Sequence, residues 1–173
     1  MSSVGAPLYN GNGERVGGIE CIRDITEIKK AEEARRESEE KYRTMVDSMP
    51  DAVFIHNGET FMYANTATAN MLGIELPVKN ISIYDFVHPD YTVKFRKKVE
   101  ECFLSGKAVP LFEIKFISRE GRLIDVETIG IPITYMGKPA IQGIAHDITA
   151  RKKAERELIL KDELLHLTGE MAK

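Results

Sequence analysis

Residues 147–155 read Asp147-Ile148-Thr149-Ala150-Arg151-Lys152-Lys153-Ala154-Glu155, and residues 24–32 read Asp24-Ile25-Thr26-Glu27-Ile28-Lys29-Lys30-Ala31-Glu32. Seven of the nine positions are identical at an offset of 123 residues. A repeat at that spacing marks whole domains in tandem rather than a solenoid of short units. The copy ending at Asp147 has room for a complete domain before it, whereas only a short tail precedes Asp24. Residues 1–26 are therefore expected to be the last strands of a truncated upstream domain. Leu8-Tyr9 and Val16 to Ile22 flank Asn10-Gly11-Asn12-Gly13, a hairpin-turn signal.

After each Asp-Ile-Thr the composition turns helical. Between Glu27 and Arg43 stand six acidic residues (27, 32, 33, 37, 39, 40) and six basic ones (29, 30, 35, 36, 41, 43), with no Gly or Pro. Opposite charges at helical spacing, such as Glu32–Arg36 and Glu39–Arg43, predict a long charged linker helix over 27–43. Such a helix is either a solvated spacer or a partner helix. Ile28, Ala31, Tyr42, Met45 and Met49 share one heptad seam, which Arg35 and Ser38 interrupt. The second helix, over 150–173, carries the wider stripe: Leu160, Leu164, Leu167 and Met171, flanked by Ala154, Leu158 and Leu165.

Residues 44–149 mix periods. Ala52 to His56 and Phe61-Met62-Tyr63 read as short strands around a turn at Asn57-Gly58. Asn65 stands where a helix N-cap belongs and Gly73 where the helix closes. Pro89 suits the first turn of a further helix running to Leu104, stopped by Gly106. Three strands follow near 110–118, 122–135 and 140–148, separated by Glu120-Gly121 and Gly137-Lys138. Phe112, Ile114 and Phe116 alternate with Glu113 and Lys115, so one sheet face should be buried and the other wet. Two strands, helices, then three antiparallel strands predict an α+β sheet with helices on one face.

Several motifs in this order resemble the PAS domain family. Glu37 to Arg43 resembles its lead-in helix, and Met49-Pro50-Asp51-Ala52-Val53 the start of its first strand. Tyr63-Ala64-Asn65 followed by Met71-Leu72-Gly73 is similar to its second strand and first core helix. Asp85-Phe86-Val87-His88-Pro89-Asp90 resembles its middle segment, Arg119-Glu120-Gly121 its hairpin, and Asp147-Ile148-Thr149 its signal-transmitting exit motif. The resemblance implies a five-stranded antiparallel sheet cradling a small-molecule cavity, flanked by N- and C-terminal signalling helices, in a sensory rather than catalytic role. His146 departs from the arginine usual in the family and present as Arg23 in the upstream copy.

Cofactor chemistry can be weighed residue by residue. Flavin-adduct relatives need a cysteine before the long helix, where this chain has Lys79-Asn80-Ile81-Ser82-Ile83-Tyr84. Haem relatives place an axial histidine within that helix, and residues 91–104 contain none. Flavin and haem are thus disfavoured. His56, His88, His146 and His166 have no metal-ligand spacing with Cys21 and Cys102, and no nucleophile–base constellation or phosphate loop is present. With 24 basic and 27 acidic residues, the formal charge of −3 offers no basic face for nucleic acid or anionic lipid. Two cysteines suit a reducing compartment, and no apolar run reaches the roughly 20 residues of a membrane span. A cytoplasmic, non-enzymatic segment is expected.

The functional expectation is a signal-input module that binds a small molecule between the strand carrying Val53 and Ile55, the helix carrying Val99 and Phe103, and Phe112, Ile114 and Phe116. Asp147, Ile148 and Thr149 would pass the change to the exit helix, in a homodimer joined through its flanking helices. The alternative is a ligand-free dimerisation and spacer module. Arrays of the kind this chain resembles belong most often to sensor histidine kinases, with diguanylate cyclases second.

Overall fold

The computed structural model describes the backbone of residues 2–170 and the side chains of residues 4–20 and 24–164. The chain divides into two compact units, residues 1–45 and 46–173. In the first, β1 (Ser2–Tyr9) pairs antiparallel with β2 (Arg15–Arg23) as the Asn-Gly signal predicts. The Asn10 side chain closes the turn by accepting from the Asn12 and Glu14 amides at 3.0 Å each. Asp24 then accepts from the Thr26 amide at 2.9 Å, and α1 (Thr26–Asp47) begins. No residue of α1 is buried. Its ion pairs are Glu27–Lys30, Arg35–Glu39 and Arg36–Glu40, a different choice of partners from the same mixed-charge pattern.

The second unit is built on one five-stranded antiparallel sheet in the order β4-β3-β7-β6-β5. Its strands are β3 (Ala52–His56), β4 (Phe61–Ala64), β5 (Val109–Ile117), β6 (Leu123–Tyr135) and β7 (Lys138–Asp147). Between β4 and β5 run α2 (Thr66–Leu72), a 3-10 turn (Ile83–Phe86) and α3 (Pro89–Ser105). Local chemistry sets these boundaries. Asn65 caps α2, and Gly73 ends it at φ 69°, a left-handed conformation that costs other residues. The His88 side chain caps α3 by accepting from the Asp90 amide at 3.2 Å, and Pro89 takes the first helical position.

The core lies between the sheet and α2 and α3. Phe54, Phe61, Leu72, Phe86, Phe95, Cys102, Ile114, Phe116, Ile124, Val126 and Ile141 belong to it. Asn65, fully buried, ties its edge together. Its carbonyl oxygen accepts from the Val53 amide at 3.0 Å and from the Thr68 amide at 2.9 Å, while its amide nitrogen donates to the carbonyls of Val46 and Asp51 at 3.0 Å each.

Strand β5 alternates as expected. Ile114 and Phe116 are buried, Phe112 is half-buried, Glu113 is exposed and Lys115 half-buried beside Asp125. The opposite face of the sheet is not uniformly wet, however. Asp125 and Glu127 give way along β6 to half-buried Ile129, Ile131 and Ile133, with Ile144 of β7 across from Ile129.

Phe116→Ala should lower unfolding free energy by about 3–5 kcal/mol, the cost of emptying a buried aromatic site. Leu111→Ala, on the same strand but exposed, should change it by less than about 0.5 kcal/mol. Urea unfolding of the two variants compares them directly.

Candidate functional site

A cavity opens between the sheet and α3. Strand β3 contributes Phe54 and His56, α3 contributes Phe95, Lys98, Val99 and Cys102, and β5 contributes Val109 and Phe112. Thr128, Gly130, Ile141 and Gly143 supply the floor from β6 and β7. The open space is about 20 Å³, room for a water-sized molecule, against roughly 300–1,000 Å³ for a pocket enclosing a drug-sized ligand. Gly143 shapes this floor: a Cβ there would collide with the Phe54 ring, so glycine lets the ring approach the β7 backbone closely.

His56 is the polar group set deepest in the wall, 1% exposed. The Gly58 amide donates to its Nδ1 at 3.1 Å. Burial pushes the imidazole down from its usual 6.5 to about 4, so it is neutral at physiological pH. The Cys102 thiol, also buried, is pushed up by desolvation, the opposite of what a reactive thiolate needs. Among the described residues no group of three or more His, Cys, Asp or Glu could hold a metal ion.

A second constellation lies on the other face of the same strands, at the start of α4 (Thr149–Glu170). Asp147 accepts from the Thr149 amide at 2.9 Å, as Asp24 does from Thr26, so the sequence repeat is a repeat of local structure. The buried Ile148 donates its amide to the Asp125 carbonyl at 2.9 Å. Thr149 serves as an acceptor: the Asp125 amide donates to its hydroxyl oxygen at 3.0 Å. Both backbone groups of Asp125 are thereby committed to the helix start.

Charge reinforces this junction. Asp125 is held by Lys115 and, at 3.2 Å, by Arg156; Glu113 is held by Lys152 and, at 3.5 Å, by Arg151, which also lies 3.9 Å from Glu127. The hydrogen bond from Lys152 lowers the Glu113 carboxyl, and Glu113 in turn raises the Lys152 ammonium. Burial alone would raise Asp125, yet Lys115 and Arg156 together hold it below the usual carboxylate range. His146, the departure from arginine, is not idle: its Nδ1 lies 2.5 Å from the Asp51 carboxylate, bridging the end of β7 to the start of β3.

Residues 40–148 match the sequence profile of the PAS family, described as the PAS fold. The chain belongs to this family. The chain is 29% identical over 154 residues to sporulation kinase A of Bacillus subtilis, covering 86% of its length. It is 29% identical over 128 residues to the methyl sulfide methyltransferase-associated sensor of Methanosarcina acetivorans, covering 72% of this chain. The chain spans 25% and 13% of the lengths of these two relatives. The solved PAS domain of an HTR-like protein from Haloarcula marismortui superposes with a TM-score of 0.58 at 21% identity, covering 69% of this chain and 99% of that one.

Within the PAS domain the residues singled out from sequence separate. Val99 and Phe112 line the cavity. Ile114 and Phe116 face the core beside it without lining it, and Phe103 packs near Gly58, at the end of β3. Val53 and Ile55 fall on the other face of β3, one residue out of phase, because strand side chains alternate and Phe54 and His56 take the inward positions. The sequence marks His56 as the end of a strand, and its inward orientation follows only from the phase of β3. A lone glycine inside a strand, Gly143, is the signal that marked this wall as a place of close approach. Asp147, Ile148 and Thr149 lie at the start of α4. Leu165, His166, Leu167 and Met171, the distal part of the stripe, lie outside the described side chains, as does Cys21.

Two outcomes follow from this geometry. His56 titrates near 6.5 once unfolded and near 4 in the fold, so lowering pH between those values protonates the unfolded chain first. Stability contributed by the neutral ring is complete above about 6.5, falls by about 3 kcal/mol as the pH drops to about 4, and then levels off. Unfolding titrations should show this limb, and its difference from His56→Asn isolates it from the carboxylates. Separately, Thr149→Val removes the acceptor for the Asp125 amide at a cost of about 1–2 kcal/mol. Hydrogen exchange should accelerate at the Asp125 and Ile148 amides and leave the Val53 amide unchanged.

Proposed function

We propose that this chain is the sensing and relay module of a sensor histidine kinase, taking a small molecule in its cavity and passing the change to α4. The observation that carries the reading is the sharing of strands between the two sites. Phe112 faces the cavity while its neighbour Glu113 grips Arg151 and Lys152 of α4. Thr128 faces the cavity while Glu127 lies beside Arg151 and Asp125 binds the helix start. A strand shifted from one side moves the side chains on its other face, so displacement at the cavity reaches the helix without an intermediary.

The kinase context is supported by the likeness to sporulation kinase A, of which this chain corresponds to a quarter. The cytoplasmic, non-enzymatic character of the segment belongs to the same proposal. Among the described residues no helix is long and apolar enough to cross a membrane. The hairpin of residues 2–23 followed by Asp24-Ile25-Thr26 repeats the local design of β6, β7 and Asp147-Ile148-Thr149, which supports residues 1–26 as the last strands of an upstream PAS domain in tandem. Residues 27–43 then serve as linker helix, 44–149 as the sensing domain and 150–173 as output helix.

A homodimer through the flanking helices completes the relay. Leu158, Leu160 and Leu164 of α4 are 59–68% exposed, as are Ile28, Tyr42 and Met45 of α1 at 49–67%, and a second copy would cover them. The small volume of the cavity favours one other reading, a ligand-free module whose packed interior only relays motion between neighbouring domains.

The test uses autophosphorylation of the full-length parent. Each residue inserted after Glu157 turns the downstream helix by about 100°. One inserted residue should disturb output, and seven should largely restore it as the seam returns to register. Output indifferent to insertion length would sink the relay reading.

A further inference from the structure

The polar groups lining the cavity are not equivalent. Thr128 donates its hydroxyl to the Ile144 carbonyl at 2.9 Å, the Cys102 thiol lies 3.9 Å from the Gly130 carbonyl, and Lys98 pairs with Glu101 at 2.9 Å. Each already has a protein partner. His56 has one for Nδ1 only. Because the Gly58 amide donates to Nδ1, that nitrogen carries no proton, and the neutral ring must hold its proton on Nε2. Among the described residues Nε2–H meets no acceptor. No fully enclosed side-chain nitrogen or oxygen is left without a partner among them either, so Nε2 is not fully enclosed, and the ring that carries it lines the cavity.

We propose that His56 is the recognition residue of this cavity, its Nε2–H donating to an acceptor atom on a small, uncharged and otherwise apolar ligand. This rests on the reading of the cavity as a ligand site. The remaining chemistry of the wall fixes the class. Phe54, Phe95, Val99, Val109 and Ile141 present hydrocarbon, which rewards an apolar body. The neutral imidazole and the already-paired Lys98 leave no counter-charge, so an ionised ligand would lose its hydration without compensation. A donor that finds no acceptor in an apolar wall costs stability, so the arrangement is complete only with an occupant that accepts. A ketone or ether oxygen meets that demand; a carboxylate or an ammonium does not. The open space of about 20 Å³ holds a water-sized guest, so a ligand of even a few heavy atoms must push the surrounding side chains apart to enter.

Acetone and isobutene share one shape and differ by an oxygen in place of a methylene, so they serve as the probes. In the isotope-labelled chain at neutral pH, acetone should shift the Nε2–H resonance of His56 and the methyls of Val99, Val109 and Ile141, whereas isobutene should shift the methyls alone. His56→Asn keeps an oxygen within reach of the Gly58 amide while withdrawing the donor from the cavity. The ratio of acetone to isobutene affinity should fall about tenfold in that variant, the worth of one hydrogen bond, with differences of ligand size cancelling in the ratio. An unchanged ratio, or an Nε2–H that ignores bound acetone, overturns the role of His56 and leaves the cavity reading standing. If neither probe moves the three methyls, the cavity holds a resident water at most, and both the reading and this proposal fail. The ring measurement on the unsubstituted chain decides the matter even if the variant does not fold.

Discussion

The buried amide of Asn65 is the constraint on which the rest of the sensing unit depends. Its side chain has an acceptor and two donors, and all are engaged with groups far apart in the chain: Val46, Asp51, Val53 and Thr68. The Asn65 amide donates in turn to the Val53 carbonyl at 2.9 Å, and the Thr68 hydroxyl donates to the same carbonyl at 3.0 Å. One residue thus fixes where α1 ends, where β3 begins and how α2 departs from β4. A network of this kind is worth more whole than in parts, because removing one member leaves its partners buried and unsatisfied. With β3 pinned at its start, its phase is settled, and Phe54 and His56 have no choice but to face inward.

That phase divides the sheet into two working faces. Inward, the strands hold an apolar wall interrupted by the His56 imidazole and the Thr128 hydroxyl. Outward, β5 and β6 present Glu113, Asp125 and Glu127 to the cations of α4. The junction combines two kinds of interaction with different reach. The two backbone-centred bonds at Asp125 are short and geometrically strict, while the ion pairs tolerate sliding and are screened by salt. Ile148, buried between them, ties the helix start to the core by packing. The helix is therefore anchored to the sheet between Thr149 and Arg156, and its leucines further on are exposed.

Local chemistry made most of the architecture legible in the sequence. The cap at Asn65, the stops at Gly73 and Gly106, Pro89 at a helix start and the Asn-Gly hairpin all act within a few residues. The alternation of Phe112 to Phe116 could be read because its polar positions are charged. Strand β3 could not: Ala52-Val53-Phe54-Ile55 is apolar on both faces, so nothing in the stretch itself says which pair points inward. Pairing with β4 and β7 decides it, and that information is long-range. The role of Thr149 escaped for the same reason, since its partner lies 24 residues away on another strand. The choice among ion pairs on α1 is equally illegible where every spacing offers a partner.

The contact between Gly143 and the Phe54 ring bears on how such a module can evolve. The ring fills space that a side chain on the neighbouring strand would otherwise take, so the volume of the interior is governed by two positions that meet only in three dimensions. A smaller residue at position 54 would enlarge the chamber without touching Asp125, Thr149 or the charges that hold the helix. A lineage could thereby alter the chamber while the groups that hold the helix stay as they were, since the cavity lining and the helix junction share strands but not side chains.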